Sequence, residues 1–113
     1  MIRFAGLQTA DGVGRVMPTF RVLPRFARDF AQLSEKDQVR FREAVTKFVE
    51  DLDRGAGFRP GLGIRGVQGA PGVFEMRWAP DGRATFEYGE PIRQGQVHVV
   101  WRRVGTHSVF DEP

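Results

Sequence analysis

The sequence predicts an α+β fold with a short N-terminal strand, a two-helix hairpin and a C-terminal antiparallel sheet of about four strands. Apolar residues recur at helical spacing between residues 24 and 54, and the pattern becomes alternating after a Gly- and Pro-rich bend at 55–61. At 113 residues and 41% hydrophobic, the chain has material for one core and not for two. We therefore expect one domain over residues 17–113, preceded by a flexible N-terminal extension at 1–16.

The helical half has clear start and stop signals. Residues 19–23 alternate as a short strand, and Pro24 suits the first position of a short helix. A second helix is predicted over 35–54, because Ser34 suits its N-cap and Gly55 its C-terminal end. Its apolar residues fall on one face: Phe41, Val45, Phe48 and Leu52.

The strand half contains four alternating runs, 62–68, 73–79, 83–89 and 97–104. The second and third form a hairpin whose register is tested by its side chains, since directly opposed residues share a face. A two-residue turn at Asp81-Gly82 would oppose Arg77 to Phe86. A three-residue loop, Pro80-Asp81-Gly82 with Gly82 left-handed, instead pairs apolar with apolar residues and is preferred: Met76 with Phe86, Trp78 with Ala84, Phe74 with Tyr88.

This register predicts a polar face that carries Glu75, Arg77, Arg83, Thr85 and Glu87. It also sets Glu75 opposite Glu87, an opposition of like charges that costs stability and would raise the pKa of one carboxyl toward that of a general base. The alternative is a solvated outer face whose Glu and Arg side chains pair across strands.

Composition excludes several classes of chemistry. The chain has no cysteine and only two histidines, which argues against thiolate catalysis and zinc sites. It has no apolar run long enough for a membrane span and no secretory signal pattern, so we expect a cytoplasmic protein without a membrane partner. Arginine outnumbers lysine 15 to 2, which favours bidentate phosphate or carboxylate contacts, although codon bias explains the same composition.

The polar face contains residue types suited to phosphate chemistry. Two guanidiniums hold a phosphate and neutralise the charge that grows during attack on it. Arg65, in the run before the hairpin, adds a third cation if its strand is a neighbour, or else is a solvent-exposed residue. His107 follows the last strand and offers proton transfer near neutral pH, unless it is merely exposed. His98 lies within a strand and is interpreted as packing or surface.

Three segments carry a family resemblance: Phe74-Glu75-Met76-Arg77-Trp78, Gly82-Arg83-Ala84-Thr85-Phe86 and Val104-Gly105-Thr106-His107-Ser108-Val109-Phe110. With the order of elements, they resemble the RelE/ParE superfamily of type II toxin-antitoxin toxins over about residues 18–110, in particular its RelE-like branch. The resemblance implies a toxin that enters the ribosomal A site and cleaves mRNA by attack of a ribose 2′-hydroxyl on the adjacent phosphate. It also implies no metal or other cofactor, and inhibition by a cognate antitoxin.

Residue by residue, Arg83 matches the arginine that contacts the scissile phosphate, and Glu75 and Arg77 match two alternating positions that are lysines in the RelE branch. His107 falls near the C-terminal basic or histidine position, and Phe110 falls where many active members have a tyrosine. Two departures follow: a carboxylate replaces one catalytic lysine, and Phe110 stacks on a base but transfers no proton.

The resulting hypothesis is an mRNA endoribonuclease in which Glu75 and His107 act as base and acid, in either order, while Arg77 and Arg83 stabilise the phosphate. Further contacts to RNA are expected from Arg65, Thr85 and Phe110. One rival is a ParE-like toxin that inhibits DNA gyrase, and another is a catalytically inactive binding module of the same fold.

Overall fold

A computed structural model describes residues 18–113. The predicted extension at 1–16 lies outside the described residues. The elements follow one another as β1 (Thr19–Val22), α1 (Pro24–Gln32), α2 (Glu35–Arg54), β2 (Arg65–Gly66), β3 (Val73–Arg77), β4 (Gly82–Gly89) and β5 (His98–Thr106). Two 3₁₀ helices cover Pro60–Leu62 and His107–Asp111. The predicted α+β order of a strand, two helices and a sheet is confirmed.

The helices begin and end where the capping residues dictate. Pro24 opens α1, and the Ser34 hydroxyl accepts a hydrogen bond of 3.1 Å from the backbone N–H of Asp37 at the start of α2. Gly55 ends α2 with φ +68°, a conformation that glycine adopts without strain. The predicted bounds of α2 are confirmed. Within residues 18–113, neither helix combines the length and apolarity that crossing a membrane requires.

The five strands form one sheet in the order β1-β5-β4-β3-β2. Strands β2 to β5 are antiparallel, as predicted, while β1 joins the edge parallel to β5. The run predicted as a strand at 62–68 pairs only over Arg65–Gly66, because the chain turns through a 3₁₀ helix at Pro60–Leu62 just before it. On this side, β3 is therefore paired with a strand of only two residues.

The hairpin register differs from the predicted one by two residues. Arg77 pairs with Arg83 and Glu75 with Thr85, so the loop consists of residues 79–81. The predicted opposition of Glu75 and Glu87 is therefore wrong. A shift of two residues preserves the alternation of side chains, so each residue remains on its predicted face.

Gly82 belongs to β4 and does not close the loop. Its carbonyl accepts a hydrogen bond of 3.1 Å from the Trp78 N–H, and its own N–H donates to the Ala79 carbonyl over 3.0 Å. The predicted left-handed conformation at Gly82 is wrong, since its φ is not positive. The position still requires glycine, because an added Cβ would lie 2.6 Å from two atoms of the Trp78 ring.

The core lies between the two helices and one face of the sheet. Trp101 of β5 is 1% exposed, and its ring centroid lies 5.3–6.2 Å from those of four other aromatic residues: Phe26, Phe41, Phe48 and Phe86. Centroid separations of this size suit tilted and edge-to-face packing. This aromatic cluster joins α1, α2 and β4 to β5.

A β-bulge in β5 adjusts which residues enter this core. Thr85 pairs with Arg103 and Phe86 with Trp101, so Arg102 is the extra residue. Trp101 and Val104 consequently both lie in the core, although a regular strand would place them on opposite faces. Arg102 instead donates to Glu87 over 2.9 Å.

Asp51 holds the end of α2 against the loop that follows it. It is 4% exposed and accepts hydrogen bonds from the backbone N–H of Arg59, from the Arg59 guanidinium and from Arg54. The Arg59 side-chain hydrogen bonds, more than any other contact, lower the pKa of Asp51 to about 2, against the opposing effect of burial. The ionised carboxylate therefore stabilises the fold.

Replacing Asp51 with asparagine should destabilise the protein by about 1–2 kcal/mol at pH 7. The lowered pKa in the folded state means that the charged form of Asp51 stabilises the fold. Because its partner Arg59 is partly solvated, the effect is smaller than that of a fully buried ion pair. The stabilisation is fully present above pH 4 and is lost as the pH falls toward 2. Urea unfolding of native protein and Asp51→Asn should therefore differ most above pH 4 and converge as the pH approaches 2. Glu90→Gln, at an exposed loop position, serves as the carboxylate-to-amide control; an equal effect there would contradict the assignment.

Candidate active site

Two arginines face one another at the end of the hairpin. Arg77 on β3 is paired directly with Arg83 on β4, and Cβ atoms so opposed lie about 4.5–5.5 Å apart. Arg83 is 6% exposed, and its Nη1 donates to the carbonyl oxygens of Ala79, Pro80 and Gly82 over 2.9–3.3 Å. Arg77 is exposed and has no hydrogen bond or ion pair with any of residues 18–113.

Glu75 lies one pair further along the polar face. Its Oε1 accepts a hydrogen bond of 2.5 Å from Nε of Arg65, the residue opposite it on β2. Glu75 is 7% exposed, whereas the side chain of Arg65 is 73% exposed. The predicted adjacency of Arg65 is confirmed, but its cation is engaged by the carboxylate that was the candidate base.

His107 begins the C-terminal 3₁₀ helix beside the hairpin loop. Its Nδ1 lies 3.9 Å from Oδ1 of Asp81, and its side chain is 59% exposed. The ring meets that of Phe110 edge-on, with centroids 5.0 Å apart. Nε2 has no hydrogen-bond partner in the described part of the chain, so it is available to a ligand at the surface.

The 3₁₀ helix is seated on β5 by an apolar contact. Val109 is 4% exposed, and a Cβ added to Gly105 would lie 3.1 Å from its Cγ1 atom. Gly105 is paired with Arg83 across β4 and β5. The absence of a side chain at Gly105 thus lets the segment that carries His107 lie close to Arg83.

Three arginines hold the residues that follow this helix. Arg25 of α1 donates to both the carbonyl and the carboxylate of Glu112, and Arg103 donates to the same carbonyl. Arg102 donates to the carbonyl of Pro113 over 3.1 Å. We call these three residues the C-terminal clamp. It restrains the segment that places His107 beside the hairpin loop.

Thr85 is placed differently from the other polar-face residues. It is completely buried, and its hydroxyl has no hydrogen-bond partner among residues 18–113. A contact between Thr85 and RNA would therefore require the surrounding structure to move. His98, interpreted from sequence as a packing or surface residue, is buried and shares a hydrogen bond of 2.8 Å with Thr19 of β1.

The structure thus gathers Arg77, Arg83 and His107 around the hairpin loop, with Glu75 two residue pairs inward. Asp81 was missed by the sequence analysis, although it occupies the loop that faces the end of β5. Its proximity to His107 depends on the pairing of Gly82 with Thr106, and the alternating pattern within each strand does not reveal that pairing between strands.

The order of a short strand, two helices and a five-stranded mixed sheet is that of the RelE, YafQ and YoeB/ParE toxin fold. A chain of the E. coli DinJ-YafQ toxin-antitoxin complex is similar with a TM-score of 0.60 and 14% identity, covering 83% of this chain and 97% of that one.

Two further solved structures share the fold. A YoeB/ParE toxin from Agrobacterium tumefaciens aligns with a TM-score of 0.57 and 11% identity over 79% of this chain and 98% of that one. A chain of the RelB-RelE antitoxin-toxin complex from Methanococcus jannaschii aligns with a TM-score of 0.52 and 13% identity. The alignment covers 80% of this chain and 94% of that one. No protein-family model and no curated protein sequence matches the chain.

Gly82→Ala should destabilise the protein by about 1–3 kcal/mol, since the new methyl group would overlap the Trp78 ring and lie 2.9 Å from the Cβ of Ala79. Gly61→Ala is the control, because a Cβ there meets no atom of the described chain within 4 Å and the φ of Gly61 is not positive. Urea unfolding compares the two variants. Equal stability of both would show that the hairpin does not depend on this contact.

Proposed function

We propose that this protein is the toxin of a type II toxin-antitoxin system and acts as a ribosome-dependent mRNA endoribonuclease. The observation that carries the proposal is the direct pairing of Arg77 with Arg83 at the hairpin loop that His107 also borders, on a fold shared with RelE and YafQ toxins. Two adjacent guanidiniums suit an RNA phosphate, and the imidazole supplies proton transfer next to it.

In the proposed reaction, a ribose 2′-oxygen attacks the adjacent phosphorus and the bond to the 5′-oxygen of the next nucleotide breaks. Arg77 binds the phosphate with its unengaged guanidinium. Arg83, held by three loop carbonyls, is fixed in place before substrate arrives, which favours stabilisation of the charge that develops in the transition state. The products are a 2′,3′-cyclic phosphate and a free 5′-hydroxyl.

Proton transfer in this scheme involves Glu75 and His107. Arg65, exposed over most of its side chain, turns to an RNA phosphate and thereby releases the Glu75 carboxylate to accept the 2′-hydroxyl proton. His107 delivers a proton from Nε2 to the leaving 5′-oxygen, while Asp81 faces its other nitrogen. The exchanged assignment, with His107 as base, uses the same atoms. Phe110 stacks on a base near the site.

The proposed partner is a cognate antitoxin. Two of the similar structures are complexes of a toxin with its antitoxin, DinJ-YafQ and RelB-RelE. An antitoxin would inhibit this chain by covering the polar face or by displacing the segment after β5. To displace that segment, an antitoxin would have to compete for the three arginines of the C-terminal clamp. An acidic antitoxin segment is suited to this.

Ribosome-bound cleavage of a defined mRNA tests the proposal. Arg77→Ala should reduce the single-turnover rate by about 10²–10³-fold without changing thermal stability, because the removed side chain is exposed and unpaired. Arg83→Ala should reduce the rate at least as much and also lower Tm, since it removes the loop hydrogen bonds. Arg28→Ala, an exposed site on α1, provides the control for loss of positive charge.

Absence of cleavage by the native protein would refute the ribonuclease proposal, and equal rates for native protein and Arg77→Ala would refute the assigned site. Gyrase-linked DNA breaks without mRNA cleavage would establish the ParE-like alternative. Binding to ribosomes with neither activity would identify a catalytically inactive module.

Replacing His107 with glutamine should lower the cleavage rate by about 10²–10⁴-fold and remove one limb of the pH-rate profile, because the proton donor is lost. His98→Gln provides a matched control: it alters the contact with Thr19 and should lower Tm while preserving the shape of the profile. A His107→Gln profile that keeps both limbs would exclude His107 from proton transfer.

A further inference from the structure

A second concave site lies on the helix side of the hairpin. A cavity of about 350 Å³ is bounded by α2, by the loop before β2 and by the end of β3. Its volume lies within the range of ligand-binding pockets. We call it the helix-side pocket. Its charged and aromatic lining consists of Arg40, Glu43, Lys47, Arg59, Arg77 and Trp78.

The cations of this pocket fall into two groups. Arg59 is engaged by Asp51 and Glu50, and Arg40 lies 3.5 Å from Asp37. Lys47 and Arg77 make no hydrogen bond or ion pair with the described residues, and both are exposed. Four cationic side chains and only one acidic one therefore line the cavity, and two of the cations are free for an anion.

Trp78 adds an indole ring to the same lining. Its indole Nε1 is buried and has no acceptor within residues 18–113. A buried N–H without an acceptor is costly. The ring packs directly against Gly82, so closely that a side chain at position 82 would overlap it. Beside it, Ala44, Leu62 and Pro80 contribute apolar surface.

We propose that the helix-side pocket binds a nucleotide, with the phosphate held by Lys47 and Arg77 and the base placed against Trp78. An apolar wall together with free cations suits a phosphorylated aromatic ring, and the cavity is far larger than one phosphate needs. This inference rests on the proposed function, because Arg77 also borders the cleavage site. The occupant is thus the nucleotide next to the cleaved bond in a single RNA strand.

The test uses a trinucleotide RNA with 2′-O-methyl groups, which cannot be cleaved by 2′-oxygen attack, and the full-length protein without ribosomes. Lys47→Gln should weaken binding about tenfold, the loss of one charge-assisted contact. Lys36→Gln is the matched control, since Lys36 is the other lysine of the chain, lies on the same helix and does not line the pocket. The affinity of the Lys36→Gln variant for the trinucleotide should match that of the native protein.

The indole N–H resonance of Trp78 supplies a local readout. Of the two tryptophans, Trp101 is in the core, so on addition of the trinucleotide the Trp78 signal should shift and that of Trp101 should stay. An unshifted Trp78 signal, or equal weakening by Lys36→Gln and Lys47→Gln, would overturn the proposal. Inorganic phosphate competing as well as the trinucleotide would also overturn it, since the pocket would then recognise phosphate alone.

The two proposals fail separately. Trinucleotide binding that depends on Lys47, in a protein that cleaves no mRNA, would refute the ribonuclease proposal and support the pocket. Cleavage of mRNA by a protein whose trinucleotide affinity is unchanged in Lys47→Gln would refute the pocket and leave the cleavage site intact.

Discussion

The packing of Trp101 is the interaction on which the rest of the fold depends. Its ring meets Phe26 from α1, Phe41 and Phe48 from α2 and Phe86 from β4, so one side chain fixes both helices on the same face of the sheet. The bulge directly after it returns Val104 to that face. With one face of β4 and β5 covered in this way, charged residues of the hairpin are confined to the other.

The end of the hairpin is where this constraint produces a candidate site. The pairing of Gly82 with Thr106 brings the end of β5 to the hairpin loop. Glycines at 82 and 105 then allow two close approaches, by the Trp78 ring and by Val109. These apolar contacts thus position the backbone that carries Arg83 and His107, while the Arg83 guanidinium itself is held by the loop carbonyls.

Much of the fold and of the candidate site could be predicted from strand alternation and helix capping. The remaining features could not, for identifiable physical reasons. The limits of α2 follow from Ser34 and Gly55, which act locally. Side-chain matching separates the hairpin faces but does not distinguish registers two residues apart, so the opposition of Glu75 and Glu87 was wrong. The helix-side pocket depends on how residues 55–64 return to the sheet, although Arg40, Glu43 and Lys47 already shared a helical face in the sequence.

The arginine-rich composition can be interpreted only once the partner of each guanidinium is known. Arg59, Arg65, Arg102 and Arg103 are each engaged by a carboxylate, and Arg83 by loop carbonyls. A phosphate needs donors that are still free, and Arg77 has them at the point where the polar face meets the helix-side pocket. The central residue of the candidate site is therefore Arg77, whereas Glu75 must first lose Arg65 before it can accept a proton.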